Sequence, residues 1–186
     1  MAIDEKNFQT FSLELLKIYL SICSEVDVVA RLLSKKIDLK TFPEKTENDT
    51  RHRNIATYRD IIYSHYPDIS GATIGVKPGI ISTIPWSSFE EEKSPDWWQQ
   101  YNEVKHTRDE FFHQANLKNT IYSLSGLLVL LNYYCHPMNH DNACISLDDT
   151  TTPKLLEIKG DHFVEGVSWE GPRVYLPNQS ILKRRK

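Results

Sequence analysis

The residues best suited to chemistry lie in one short tract, residues 101–113, which reads Tyr101-Asn102-Glu103-Val104-Lys105-His106-Thr107-Arg108-Asp109-Glu110-Phe111-Phe112-His113. Imidazole is the side chain that takes up and releases protons near neutral pH, and a guanidinium stabilises charge developing on a phosphoryl group. A helix advances about 100° per residue, so Asn102, His106, Asp109 and His113, with Asn116 beyond them, share one face. Trp97, Val104, Phe111 and Ala115 fall opposite, on the natural core side. A solvated face ordinarily carries Glu, Lys and Arg. The Asn-His-Asp-His stripe therefore points to proton transfer, with Asp109 placed to orient His113 one turn away. The plainer alternative is a polar face that hydrogen-bonds neighbouring helices. Arg108 lies about 140° from His113 on an ideal helix, so the two meet only through a helix break, a curled arginine or a second protomer.

The elements that must position this tract are mostly helical. Phe8, Phe11, Leu15, Ile18, Ile22, Val26, Val29 and Leu33 recur at three- and four-residue steps and predict a helix over residues 7–36. Residues 43–50 read as a loop. A second helix fits residues 54–66, with Ile55, Tyr58, Ile62 and Tyr66 inward, and stops before Pro67. Between Ala72 and Ile84 the β-branched residues Thr73, Ile74, Val76, Ile80, Ile81, Thr83 and Ile84 flank Lys77-Pro78-Gly79, which predicts a hairpin. Ser94-Pro95-Asp96 reads as a helix start, with Ser94 as N-cap, and the helix continues from Trp97 to about His113. Another helix follows over residues 119–134. After Pro137 short strands are expected within residues 154–159, 163–169 and 173–176. The expected organisation is a mainly α domain over residues 1–140, with its hairpin insertion at about 72–85, and a β-rich extension with a basic tail over 141–186.

Bulk properties narrow the classes. A chain of 186 residues with 40% hydrophobic and 25% charged residues has the composition of an ordinary folded domain. Its formal net charge of −3 gives no general attraction to nucleic acid, so polyanion binding would need a local patch. Lys183-Arg184-Arg185-Lys186 is one such patch, and a solvated tail is its plainer reading. The first residues lack the basic-then-apolar layout of a secretory signal, and three cysteines do not suggest a disulfide framework, so a cytoplasmic setting is expected. The uncharged stretch 119–140 contains Ser123, Ser125, Gly126 and Asn132 and reads as a core helix rather than a membrane span.

Arg108-Asp109-Glu110-Phe111-Phe112-His113, set in a helical domain just before its last apolar helix, resembles the HEPN superfamily. Its signature is an Arg, often followed directly by Asn, Asp or His, and separated by four to six residues from a His. The resemblance covers about the first three quarters of the chain and implies an up-and-down helical bundle. It also implies a metal-independent ribonuclease of bacterial toxin–antitoxin or phage-defence systems, dimeric, without a cofactor, and with RNA or an antitoxin as partner. In that reading His113 is the general acid or base at a ribose 2′-hydroxyl, and Arg108 stabilises the phosphorane-like charge. An overlapping frame begins at Tyr101: Asn102 and His106 match the Arg-Asn…His version, but Tyr101 stands in the arginine position. Tyr101-Asn102-x-x-Lys105-His106-x-Arg108 is similar to a pattern in bacterial HEPN-like proteins. If that frame is the true one, the domain is a non-catalytic binding or structural relative, unless Lys105 or Arg108 substitutes.

Other constellations are weaker. Cys135, His136, His140 and Cys144 could ligate zinc, but they lack a Cys-x-x-Cys knuckle, and a helix end with a loop is the plainer reading. Trp97 and Trp98 could stack RNA bases or serve as core anchors. Arg51-His52-Arg53 is a basic cluster suited to phosphate or to a solvated loop. Gly-rich phosphate loops and a Gly-x-Ser-x-Gly elbow are missing.

Overall fold

Local side chains decide where several of the helices begin. The computed structural model describes residues 3–40, 42, 54–77, 81–135, 155–159, 168–170 and 173–175. Ser12 is extended, and its Oγ accepts the Leu15 N–H at 3.1 Å, so α1 spans Leu13–Ile37 rather than starting near Asn7. Phe8 and Phe11 belong to a lead-in that bonds to a distant helix start: Leu117 N–H donates to Thr10 O and Lys118 N–H to Phe8 O. The buried stripe of α1 is Leu16, Tyr19, Ile22, Cys23, Val26, Val29, Ala30 and Leu33. Ile18 is 49% exposed and Phe11 47%, which corrects the expected stripe. Its phase is set by Leu16, Tyr19 and Cys23, which rotates the inward face away from Ile18.

Asn54 caps α2 (Ile55–His65) by accepting the Thr57 N–H at 3.0 Å, and Ile55, Tyr58, Ile62 and Tyr66 are buried as their spacing predicts. β1 (Thr73–Val76) and β2 (Ile81–Thr83) form the expected antiparallel pair, with Ile74 opposite Thr83. β3 (Leu156–Lys159) lies antiparallel on the other side of β1, giving the order β2-β1-β3. A strand expected in the C-terminal extension thus completes the inserted sheet. β4 (Ser168–Glu170) and β5 (Arg173–Tyr175) pair antiparallel.

Pro95, not Ser94, occupies the cap position of α3 (Asp96–His106); its carbonyl accepts the N–H groups of Trp98 and Gln99. α3 ends well before His113. Thr107 has φ −138° and ψ 58°, outside helical space, and a separate short α4 (Arg108–Phe111) follows. The continuous helix expected through the tract is therefore broken, and the common face proposed for Asn102, His106, Asp109 and His113 with it. A 3-10 turn, Phe112–Gln114, leads to α5 (Leu117–Cys135). Asn116 opens α5 by accepting the Asn119 N–H at 3.0 Å.

The chain is mainly helical, with α1 packed along α5 and α2, and α3 laid against α1 and α5. No helix among the described residues is long and apolar enough to cross a membrane. Trp86, Phe89 and Trp97 fill the centre, with Trp86 and Trp97 edge to face at 5.1 Å. Both indoles are satisfied: Trp86 Nε1 donates to Gly126 O at 3.1 Å, and Trp97 Nε1 to Pro85 O at 2.9 Å. Gly126 exists to admit them. A Cβ there would lie 2.9 Å from Trp97 Cζ2 and 3.2 Å from Trp86 Cζ2. In an exposed helix Gly→Ala gains about 1 kcal/mol; here Gly126→Ala is expected to lose about 1–3 kcal/mol to overpacking. Urea denaturation decides the sign, and a midpoint at or above wild type would show that the indoles yield.

Candidate functional site

The broken helix divides the tract into two neighbourhoods. The first is a cleft of about 370 Å³ where α3 faces α1 and the start of α2. Tyr101, Asn102 and Lys105 line it from α3, and Asp27 and Ser24 from α1. Tyr101 is only 6% exposed, wedged edge-on against Tyr19 at 6.2 Å and tilted on Trp98 at 5.1 Å. Lys105 Nζ lies 5.5 Å from the centroid of the Tyr101 ring, a cation–π approach. Burial pushes the Tyr101 phenol up, and the nearby Lys105 charge pulls against that rise. Asn102 donates through Nδ2 to Trp98 O at 3.1 Å, which fixes its amide at the cleft edge.

Asp27 forms no metal-type carboxylate pair with a nearby His in the sequence, and its role in the cleft was not legible there because its neighbours lie on another helix. Its one sequence signal is a charge set among Val26, Val28, Val29 and Ala30, two residues after Glu25. Burial raises its carboxyl above the usual range, with the Arg31 and Lys105 charges acting in the opposite direction. The folded chain therefore binds the Asp27 proton more tightly than the unfolded chain does. The stability this supplies is complete below the unfolded carboxylate range and is lost as pH rises through the folded value. Asp27→Asn is accordingly expected to be as stable as wild type or more stable at pH 7, with the advantage shrinking toward pH 4. Urea titrations at the two pH values check this. A marked loss of stability at pH 7 would mean that the carboxylate is structural.

The second neighbourhood is the corner after α3. Thr107 N–H closes α3 on Glu103 O at 2.8 Å, and Thr107 O accepts from Glu110 and Phe111 to start α4. Phe112 pins the corner to the lead-in of α1, edge-on to Phe11 at 5.4 Å and 85°. His106, Arg108, Asp109 and His113 are exposed. None of these four side chains hydrogen-bonds or ion-pairs with another described residue. Among the described residues the side chains of His106 and His113 do not hydrogen-bond a neighbouring helix in the way the plainer reading required of them. Instead the internal hydrogen bonds of this region run through Asn116, Asn119, Gln100 and Gln114: Asn119 Nδ2 donates to Gln100 Oε1 and to Gln114 O.

The six candidate residues thus separate: Asn102 and Lys105 belong to the cleft, and His106, Arg108, Asp109 and His113 to the corner. Trp97 and Trp98 are core anchors, 3% and 6% exposed, though Trp98 also borders the cleft. Among the described residues no group of three or more His, Cys, Asp or Glu is placed to hold a metal ion. Cys135 is exposed, whereas His136, His140 and Cys144 lie outside the described residues, as do Arg51-His52-Arg53 and the basic tail. Compared with family models, curated proteins and solved structures, the chain matches none of them.

Proposed function

We propose that the chain is a HEPN-like helical domain that cleaves RNA without a metal ion, in a bacterial toxin or phage-defence setting, through the corner carrying Arg108 and His113. The observation that carries this reading is the state of the corner. Its two histidines, its arginine and its aspartate are exposed and have no hydrogen-bond or ion-pair partner among the described residues, the His113 ring lying tilted on Phe111 at 6.5 Å, while the turn bearing them is anchored by Phe112 on Phe11. Unpaired imidazole and guanidinium groups on an anchored turn are suited to a substrate from outside, completed by a second copy of the chain across a dimer cleft. His113 takes the 2′-hydroxyl proton, Arg108 balances the charge growing on the phosphoryl oxygens, and His106 returns a proton to the leaving 5′-oxygen.

A second reading is favoured by one observation: Tyr101, at the arginine position of the earlier frame, is a buried core residue. A HEPN-like module built around that frame binds RNA or a protein such as an antitoxin, and cuts nothing. Incubating purified protein with total or transfer RNA in EDTA separates the two. Cleavage that is lost in Arg108→Ala and His113→Ala supports the nuclease; intact RNA with and without added metal ions rejects it, and RNA retention in a mobility shift then supports the binding module.

A further inference from the structure

We propose that the cleft between α1 and α3 is a guanine-selective pocket, with Asp27 as its discriminating group. As a subsite for an RNA base this rests on the reading that the chain engages RNA. The cleft's size, about 370 Å³, lies in the range of small-ligand pockets and accommodates a single base. Its polar groups select among the four bases. A carboxylate is an acceptor with two oxygens and, when ionised, donates nothing. Guanine alone presents two adjacent donors on one edge, N1–H and the N2 amino group, matching both carboxylate oxygens at once. Adenine and cytosine present only the amino group beside a ring acceptor, and uracil one N–H between two carbonyls. Each of these leaves a ring acceptor or carbonyl against the Asp27 charge.

The remaining groups fit the rest of that base. Lys105, close enough for its charge to act on Asp27, is a donor for the O6 carbonyl that lies beside N1. Asn102 spends one amide N–H on Trp98 O and keeps a second donor and its Oδ1. Tyr101 and Trp98, buried and packed on each other, border the pocket from the core side. Keeping a carboxylate half-buried opposes its ionisation, so Asp27 serves a partner that donates to it rather than the fold.

The test is calorimetric titration of the full chain with guanosine 5′-monophosphate, beside the adenosine, cytidine and uridine monophosphates. Guanosine monophosphate is expected to bind at least about tenfold tighter than the other three, the scale set by leaving a charged group unmatched. Asp27→Asn is expected to lose at least about tenfold of that affinity with a thermal melt no lower than wild type, since a paired charged hydrogen bond is removed. Lys105→Ala, at an exposed position, provides a second variant that leaves the core intact and is expected to weaken binding severalfold. Equal affinities for the four nucleotides, no binding of guanosine monophosphate at millimolar concentration, or undiminished binding by folded Asp27→Asn would each overturn the pocket. RNA cleavage without guanine selection removes the pocket and keeps the nuclease; guanine selection with intact RNA does the reverse.

Discussion

Trp86→Ala is expected to cost about 3–5 kcal/mol, enough to leave a domain of ordinary stability of about 5–15 kcal/mol close to unfolding. The indole is fully buried, touching Phe89 at 4.8 Å and Trp97 at 5.1 Å, so its removal opens a cavity at the meeting of α3, α5 and the hairpin exit. The Nε1–H to Gly126 O bond is lost as well, leaving a helix carbonyl bonded only within its own helix. Gly126, which lacks a side chain, cannot refill the space. Guanidinium denaturation monitored by far-UV circular dichroism measures the loss, and a change below about 1 kcal/mol would mean that the cluster collapses into the hole. Ile18→Ala, on the exposed face of α1, serves as the control and is expected to stay within about 0.5 kcal/mol of wild type.

Under the nuclease reading, His113→Ala and Arg108→Ala are each expected to lower the RNA cleavage rate by about 10²–10⁴, with the melting temperature unchanged. General acid–base groups contribute on that scale, and so does a donor aimed at developing charge. Exposure predicts the separation from stability: neither side chain is buried, hydrogen-bonded or ion-paired within the described chain, and His113 only flanks the Phe111 ring, so neither holds the fold together. His106→Ala distinguishes the frames. A loss equal to that of His113→Ala makes the pair a shared acid and base; no loss assigns the chemistry to Arg108 and His113 alone. EDTA should leave the rate unchanged, and the 2′-hydroxyl route should yield 2′,3′-cyclic phosphate ends. Products ending in 3′-hydroxyl and 5′-phosphate groups would exclude that route. If cleavage requires a second copy, the rate per chain should also fall on dilution.

Much of the architecture was legible because it depends on neighbours in sequence. Apolar spacing located α2 and α5 to within a few residues and α1 except for its start, and the β-branched run around Lys77 announced the hairpin. Asn54 bears the side chain that starts its helix, and Ser12 caps α1 in the same way, although the phenylalanines before it disguised that start. The identity of the chemical tract was legible for the same reason: Asn, His, Arg and Asp in close succession stand out in any conformation.

What the tertiary structure decided is the division of that tract. Helical periodicity put Asn102, His106, Asp109 and His113 on one face because it assumes an unbroken helix. Thr107 leaves helical space, and the fold can tolerate it because Phe112 gains a seat on Phe11, a contact between residues far apart in the chain. Periodicity carries no such information. The same holds for the cleft, since Asp27 meets Tyr101 and Lys105 only once α1 and α3 pack together. The sequence by itself therefore determined which residues are equipped for chemistry and which elements carry them. Packing alone decided that Asn102 and Lys105 face a half-buried carboxylate while Arg108 and His113 face solvent, because partners distant in the chain are brought together by burial of the core and not by local preference.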